Sequence, residues 1–267
     1  MKFMLIDREK KGFARYCPTF AKAYDCMKEG LRKLGEARKI RRLARGLSNG
    51  DDEVRQKAVN GLREAARNGA DITVAIPALV KALGDGNKDE RRNAVCALEH
   101  AAVNGRDITT AIPALTKALG DKDNDVRGYA AWALWHSTLR RADITVAIPA
   151  LTKALGDEDV KVRSDAAQAL CGAAEKGADI SVAIPALIEA LSDGNVGVRR
   201  MAARALEKAI ENADQKTRTI FVNKIIGFMH SEWFRAETEK NSVVYERIAS
   251  TVAEIFDNIK EAEVAQA

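Results

Sequence analysis

The stretch from Asp71 to Leu79 reads DITVAIPAL, and close variants of it begin again at Asp107, Asp143 and Asp179. Each copy follows the one before it by 36 residues, without slippage. A fixed period of this length is typical of stacked supersecondary units, none of which can bury its own apolar face alone. The stretch therefore predicts a repeat protein rather than a globular domain.

The same step links an arginine in every unit and extends the pattern upstream, so that five units fill residues 36–213. These arginines are Arg55, Arg91, Arg127, Arg163 and Arg199. Each unit predicts two helices, the first with proline in its opening turn, where a missing N–H costs least. The second helix opens on Asp or Asn, a good N-cap, and carries Ala94, Ala97 and Leu98 or their equivalents as a buried stripe.

Stacked hairpins share one continuous core, and the predicted fold is therefore all-α. It is a right-handed α-solenoid, or alpha-alpha superhelix, of about five 36-residue hairpins. Terminal units need caps. Residues 1–35 predict a basic N-terminal helical cap, with a helix over 14–34, and residues 214–267 predict a C-terminal cap with helices over 217–230 and 242–259.

Composition narrows the class of protein. Only 5% of the 267 residues are aromatic and five are proline, so helix is favoured nearly everywhere. No apolar run of about 18 residues is present, which predicts a cytoplasmic protein with no membrane contact. The four cysteines lack the paired spacing of a zinc site, and reduced thiols are expected. They are Cys17, Cys26, Cys96 and Cys171.

The formal net charge of +5 is unevenly distributed, because residues 1–47 hold 14 Lys and Arg against 5 Asp and Glu. Arg38, Arg41, Arg42 and Arg45 are spaced i, i+3, i+4 and i+7, which places them on one side of a helix. Lys39 adds to their field. We call these five residues the basic strip, and it predicts binding of phosphates or of an acidic protein surface. The alternative is a solvated helix face.

The motif D-x-x-V-R at the head of the second helix, as in Asp123 to Arg127, is followed by A-x-x-A-L, as in Ala130 to Leu134. In these residues the chain resembles HEAT repeats of the phycobilisome-lyase-like class, an armadillo-like fold. The resemblance implies that the second helices line the concave face. It also implies that the Asp of each inter-helix turn pairs with the Arg of the motif. Those aspartates are Asp85, Asp121, Asp157 and Asp193.

Comparison of the five units separates positions that the stack needs from positions that can specialise. The variable positions of the second helix form one face opposite the Ala and Leu stripe, predicted to be the solvent-facing concave surface. There the middle unit carries a cluster predicted to bind a partner, with Arg92 and Arg204 as charged flanks. The cluster is Tyr129, Trp132, Trp135, His136 and Leu139. The alternative is that its rings pack on one another.

No metal site, cofactor or catalytic motif is predicted. His100 and His136 stand one unit apart, but their equivalents Glu64, Gly172 and Lys208 make no ligand set. The chain also lacks the repeated His-Glu pairs of HEAT-repeat di-iron hydroxylases, as well as phosphate-loop, nucleophile and dinucleotide motifs.

The sequence thus predicts a non-enzymatic scaffold or adaptor that binds a protein or peptide along its concave face. The alternative function is nucleic-acid binding through the basic N-terminal region. That alternative draws on a likeness to HEAT-like alkylpurine DNA glycosylases, which place tryptophan and a carboxylate beside the damaged base. In this chain Trp132, Trp135 and Asp165 could imitate that set. The bilin lyases are a third analogy, at the level of the fold alone.

Overall fold

The computed structural model describes residues 18–85 and 87–229, and every regular element in these ranges is helical. Five long helices begin each at the position predicted for a second helix, and we call them the second helices. They are α2 (Asp52–Arg67), α4 (Lys88–Val103), α6 (Asn124–Leu139), α8 (Val160–Glu175) and α10 (Val196–Asn212). The remaining helices are α1 (Pro18–Gly46), α3 (Ile76–Asp85), α5 (Ile112–Ala118), α7 (Ile148–Ala154), α9 (Ile184–Ala190) and α11 (Gln215–Met229).

The N-caps of the second helices are those expected from sequence. The carboxylate of Asp51 accepts hydrogen bonds from the backbone N–H groups of Glu53 and Val54, and Asp123 accepts from Val126. These bonds satisfy donors that a helix start otherwise leaves free. The Ala and Leu stripe is buried as predicted, because Ala94, Ala97 and Leu98 and their equivalents in α6 and α8 are fully covered.

The DIT segment forms a short 3-10 turn that leads into the first helix of each hairpin. In three units the Asp side chain accepts hydrogen bonds from both the backbone N–H and the hydroxyl of the Thr two residues later, as Asp71 does from Thr73 at 3.0 and 2.6 Å. The proline that follows lies in the opening turn of the helix. The repeated stretch thus fixes how the chain enters each hairpin.

Neighbouring second helices pack directly on one another, and the first helices pack against them as a second layer. Contact is much closer between second helices than between first helices, as expected of the inner layer of a curved stack. Both layers contribute to one apolar core that runs from Ile40 to Ile225. The molecule is therefore a solenoid of helical hairpins.

A ladder of bidentate ion pairs joins successive turns. Arg127 donates to the two carboxylate oxygens of Asp157 at 2.6 and 2.8 Å. Arg91 pairs in the same way with Asp121, and Arg163 with Asp193. Each arginine thus reaches the turn of the next unit. The predicted pairing between these arginines and the turn aspartates is confirmed.

The two ends differ from the simplest expectation. A single helix, α1, crosses residue 36, where the sequence placed the boundary between cap and first unit. Gly35 does not end it, because neither proline nor a capping side chain follows. Helix α11 overlaps the predicted 217–230. The predicted helix over 242–259, residues 1–17 and Cys17 lie outside the described residues. None of the described helices has the length and hydropathy needed to cross a membrane.

Candidate functional site

The aromatic cluster of the middle unit is formed by three rings on one face of α6. The centroids of Trp132 and Trp135 are 4.8 Å apart, and His136 lies 4.4 Å from Trp135 and 5.3 Å from Trp132. All three side chains are half-buried, whereas Leu139, one turn further, is 48% exposed. The rings thus contact one another and still leave part of their surface to solvent.

Trp135 is the most constrained of these rings, because it packs against the shared core. A Cβ added at Gly172 of α8 would lie 3.1 Å from its Cδ1 and 2.5 Å from Oγ1 of Thr138. Gly172 therefore provides the space in which Trp135 and the buried Thr138 fit against the next unit. At this position the packing interpretation, which the sequence left open, has direct support.

The face predicted to be solvent-facing is only partly so. Glu99 and Cys171, which hold the position of Trp135 in the units on either side, are just 7% and 4% exposed. The physical reason is that adjacent second helices approach closely enough to cover this row of positions. Trp135 therefore belongs to a row that lies between units, while Leu139 lies nearer to solvent.

The flanking residues of the cluster already have partners. The ammonium group of Lys161 on α8 lies 4.7 Å from the ring centroid of Tyr129, a cation–π contact. Arg92 pairs with Asp125 and lies 3.6 Å from Asp123, and Arg204 pairs with Glu175 at 2.5 Å. Arg92 and Arg204 thus link neighbouring units, and a partner would have to compete with these ion pairs.

Two buried carboxylates lie on the helices either side of α6, and sequence reasoning gave them little weight. Burial raises the pKa of Glu99 to about 7, and it raises the pKa of Asp165, which is 4% exposed, to about 7 as well. The ammonium group of Lys161 opposes both shifts. The sequence signal was weak, because the row that contains Glu99 varies from unit to unit and includes a second acid. Its other members are Arg63, Trp135, Cys171 and Glu207.

Helix α4 also brings together a thiol, a carboxylate and an imidazole. Sγ of Cys96 is 3.6 Å from Nε2 of His100, and Nδ1 of His100 is 2.9 Å from Oε2 of Glu99. From sequence, His100 was compared only with His136, in the next unit. Its partners on its own helix were missed, although the spacing i, i+3, i+4 of Cys96, Glu99 and His100 was a usable signal.

The basic strip lies on α1, and all five of its side chains are exposed. No ion pair joins any of them to a carboxylate in residues 18–85 and 87–229. Arg32, nearly two turns earlier, contrasts with them, because it bridges Glu29 and Glu36 at 2.6 Å each. The strip therefore presents cations that the described part of the chain does not neutralise.

Taken together, the helix order, the two layers and the ladder define the class of the protein as an α-solenoid. A family profile for HEAT repeats matches residues 76–171 and 148–219. These segments cover more than half of the chain, which therefore belongs to the HEAT-repeat family. The match is to HEAT repeats in general, and the phycobilisome-lyase-like class stays a prediction. A search of curated proteins found no match.

Solved structures of repeat proteins are similar in fold. A designed armadillo repeat protein in complex with the peptide (KR)4 is 20% identical, with a TM-score of 0.62 over 80% of this chain and 98% of that one. A computationally designed armadillo repeat protein for modular peptide recognition is 19% identical, with a TM-score of 0.66 over 80% of this chain and 98% of that one. A chain from a study of the interaction between cadherin and β-catenin is 19% identical, with a TM-score of 0.61 over 82% of this chain and 45% of that one. At these identities the likeness concerns the fold alone.

Proposed function

We propose that the chain is a non-enzymatic scaffold that binds a protein or peptide segment along the layer of second helices, with the aromatic cluster of α6 as its anchor. The observation that carries the proposal is a contiguous group of half-exposed rings, Trp132, Trp135 and His136, at the middle of that layer. Large rings of this kind dominate protein interfaces because they combine extensive contact area with little side-chain entropy to lose.

Three further observations support this function. Leu139 extends the cluster with an exposed apolar side chain. Designed armadillo proteins of similar fold bind peptides, as their descriptions state. Charged groups flank the rings on both sides, with Arg92 on α4 and Lys161 on α8. Such groups orient a partner more than they add affinity.

The test is selection of peptides from a random displayed library on the full chain, followed by affinity measurements with two variants. Trp132→Ala should weaken the selected peptides by about 2 kcal/mol or more, which is roughly 30-fold. The matched control is Val146→Ala, which trims a side chain that is 61% exposed on a 3-10 turn away from the cluster. Equal binding by wild type and Trp132→Ala, or failure to select any peptide above the background of an unrelated helical protein, would exclude the proposal.

The basic strip supports a second contact, with an acidic segment of the partner or another polyanion. Its four arginines follow one side of α1, and guanidinium groups suit carboxylate and phosphate oxygens equally well. No base-reading motif accompanies them, so sequence-selective binding of nucleic acid is not expected.

A further inference from the structure

One face of α4 holds three side chains with metal-ligating atoms, Cys96, Glu99 and His100. One such atom from each lies within 4.8 Å of the other two. With Zn–S and Zn–N bonds of about 2.3 and 2.0 Å, a tetrahedral ion separates its sulfur and nitrogen ligands by about 3.5 Å. The 3.6 Å between Sγ of Cys96 and Nε2 of His100 is already that distance. The carboxylate of Glu99 contacts the other ring nitrogen, Nδ1, and must rotate toward Nε2 to reach the same ion.

Glu99 provides an independent indication that this cluster can accept a cation. It is 7% exposed, and its Oε2 has no hydrogen-bond partner among the described residues. The 2.9 Å contact with Nδ1 of His100 is close enough but is not aligned as a hydrogen bond. A buried polar oxygen without a partner is costly, and a bound cation would remove that cost.

We propose that Cys96, Glu99 and His100 bind one Zn²⁺ ion, with the fourth coordination position open to water or an outside ligand. A set of one sulfur, one imidazole nitrogen and one carboxylate oxygen suits Zn²⁺, whereas Mg²⁺ and Ca²⁺ prefer oxygen alone. The imidazole is 27% exposed, so an ion can reach the site from the second-helix face. The site is independent of the proposed partner binding.

The charges around the cluster are mixed. On α2, Arg63 and Arg67 act against a cation, but Arg63 donates to Asn93 at 2.6 Å and to Glu64 at 3.1 Å. On α8, Lys161 opposes a cation and Asp165 favours it. Two of these three cations, Arg63 and Lys161, thus have a nearby carboxylate, and the site is not surrounded by uncompensated positive charge.

Metal binding at this cluster is coupled to release of the Cys96 proton, because burial raises the pKa of that thiol to about 11. Burial also lowers the pKa of His100, with Arg67 and Arg63 acting in the same direction. Zinc must release the thiol proton, as it does at other thiolate sites.

No other described second helix repeats the trio. The corresponding residues are Asn60, Arg63 and Glu64 in α2, Trp132, Trp135 and His136 in α6, Gln168, Cys171 and Gly172 in α8, and Arg204, Glu207 and Lys208 in α10. In α8 the thiol of Cys171 lies 3.8 Å from Glu175, but Gly172 replaces the imidazole. Cys171 is therefore a buried thiol beside a carboxylate that should not bind zinc, and it serves as a control.

The experiment is titration of the reduced full chain with Co²⁺, a spectroscopic substitute for Zn²⁺, followed by displacement with Zn²⁺. We expect one ion per chain, a thiolate-to-cobalt charge-transfer band and the visible bands of four-coordinate cobalt. Cys96→Ser should remove the charge-transfer band. His100→Asn and Glu99→Gln should each weaken binding by more than about 100-fold, the upper end of the effect of changing a residue that only contacts a ligand.

Two control variants separate this site from other thiols, Cys171→Ala and the exposed Cys26→Ser. Both should bind Co²⁺ as wild type does. Circular dichroism shows whether each variant is folded. If Cys96→Ser does not fold, His100→Asn still tests the site. A charge-transfer band that survives Cys96→Ser, loss of the band in either control, or absence of four-coordinate cobalt in the wild type would overturn the proposal.

Discussion

Arg141 is the residue at which the backbone of the middle unit departs from its neighbours. Its φ is +61°, in the left-handed region, where the equivalent residues are Gly69, Gly105 and Gly177. A side chain in that region costs about 1 kcal/mol or more. The middle unit therefore contains local strain next to its aromatic cluster, and no contact of Arg141 explains why it is kept.

Replacement of this residue by glycine should relieve the strain. We expect Arg141→Gly to raise the free energy of unfolding by about 0.5 to 1 kcal/mol. This net gain allows for the extra conformational entropy that glycine gives the unfolded chain, which opposes it. Urea denaturation of both proteins measures this. Arg140→Gly is the control, because Arg140 has φ −96° and should only lose stability. Equal losses in the two variants would show that the strain is absent.

Trp132 and Trp135 should respond differently to truncation, although the sequence placed both in the same binding cluster. Trp135 packs against the core and Gly172, so Trp135→Ala should cost about 3 kcal/mol of stability, the lower end of the range for an aromatic in a core. Trp132→Ala should cost about 1 kcal/mol, because its ring packs on Trp135 and His136 rather than on the core. Thermal melts decide between these outcomes. A loss for Trp132 as large as that for Trp135 would make Trp132 a packing residue and weaken its assignment as an anchor.

At the level of single helices, the sequence predicted most of the fold because each signal was local. Caps such as Asp51 and Asp123, the proline of each opening turn and the buried stripe act within a few residues, and repetition at a fixed period made them visible. The extent of α1 was harder, since Gly35 weakens a helix without ending it. The exposure of the variable face was harder still, because it depends on how closely two helices approach.

The basic strip gives α1 an element-level prediction. Changing Arg38, Arg41, Arg42 and Arg45 to Glu should abolish binding of heparin or single-stranded DNA and its steep salt dependence, since that dependence measures released counterions. The control variant changes four exposed lysines elsewhere to Glu, which alters the net charge by the same amount. They are Lys81, Lys117, Lys153 and Lys176. Equal loss in both variants would mean that net charge, and not the strip, accounts for binding. Helicity should persist in each.

Across the whole molecule, the stack combines two kinds of charged group with opposite dependence on pH. Two of the ladder aspartates, Asp121 and Asp193, have lowered pKa values and are stabilised as anions. Although burial acts the other way, the hydrogen bond from Arg91 lowers the pKa of Asp121 below its usual value. Glu99 and Asp165 are instead stabilised as neutral acids, with pKa values of about 7. Sequence could not separate these two groups, because the difference comes from neighbours on adjacent helices.

The last prediction follows from the sign of these shifts. Between about pH 4 and pH 7 the folded chain holds protons on Glu99 and Asp165 that the unfolded chain has released, so stability falls as the pH rises through this window. Glu99→Gln and Asp165→Asn imitate the protonated acids. Each variant should match the wild type near pH 4.5 and exceed it by about 1 to 2 kcal/mol at pH 8, measured by urea denaturation.

Asp121→Asn is the matched control for these two variants, and its effect should have the opposite sign. The pKa of Asp121 is lowered in the folded chain, so its carboxylate stabilises the fold at any pH above the pKa of the unfolded chain. That contribution disappears as the pH falls through the pKa of the folded chain. The asparagine variant should therefore be less stable than wild type at pH 8, with the deficit shrinking toward pH 3. If Glu99→Gln and Asp165→Asn were also less stable than wild type at pH 8, both carboxyls would be ionised and paired in the folded chain, and their neutral state would be wrong.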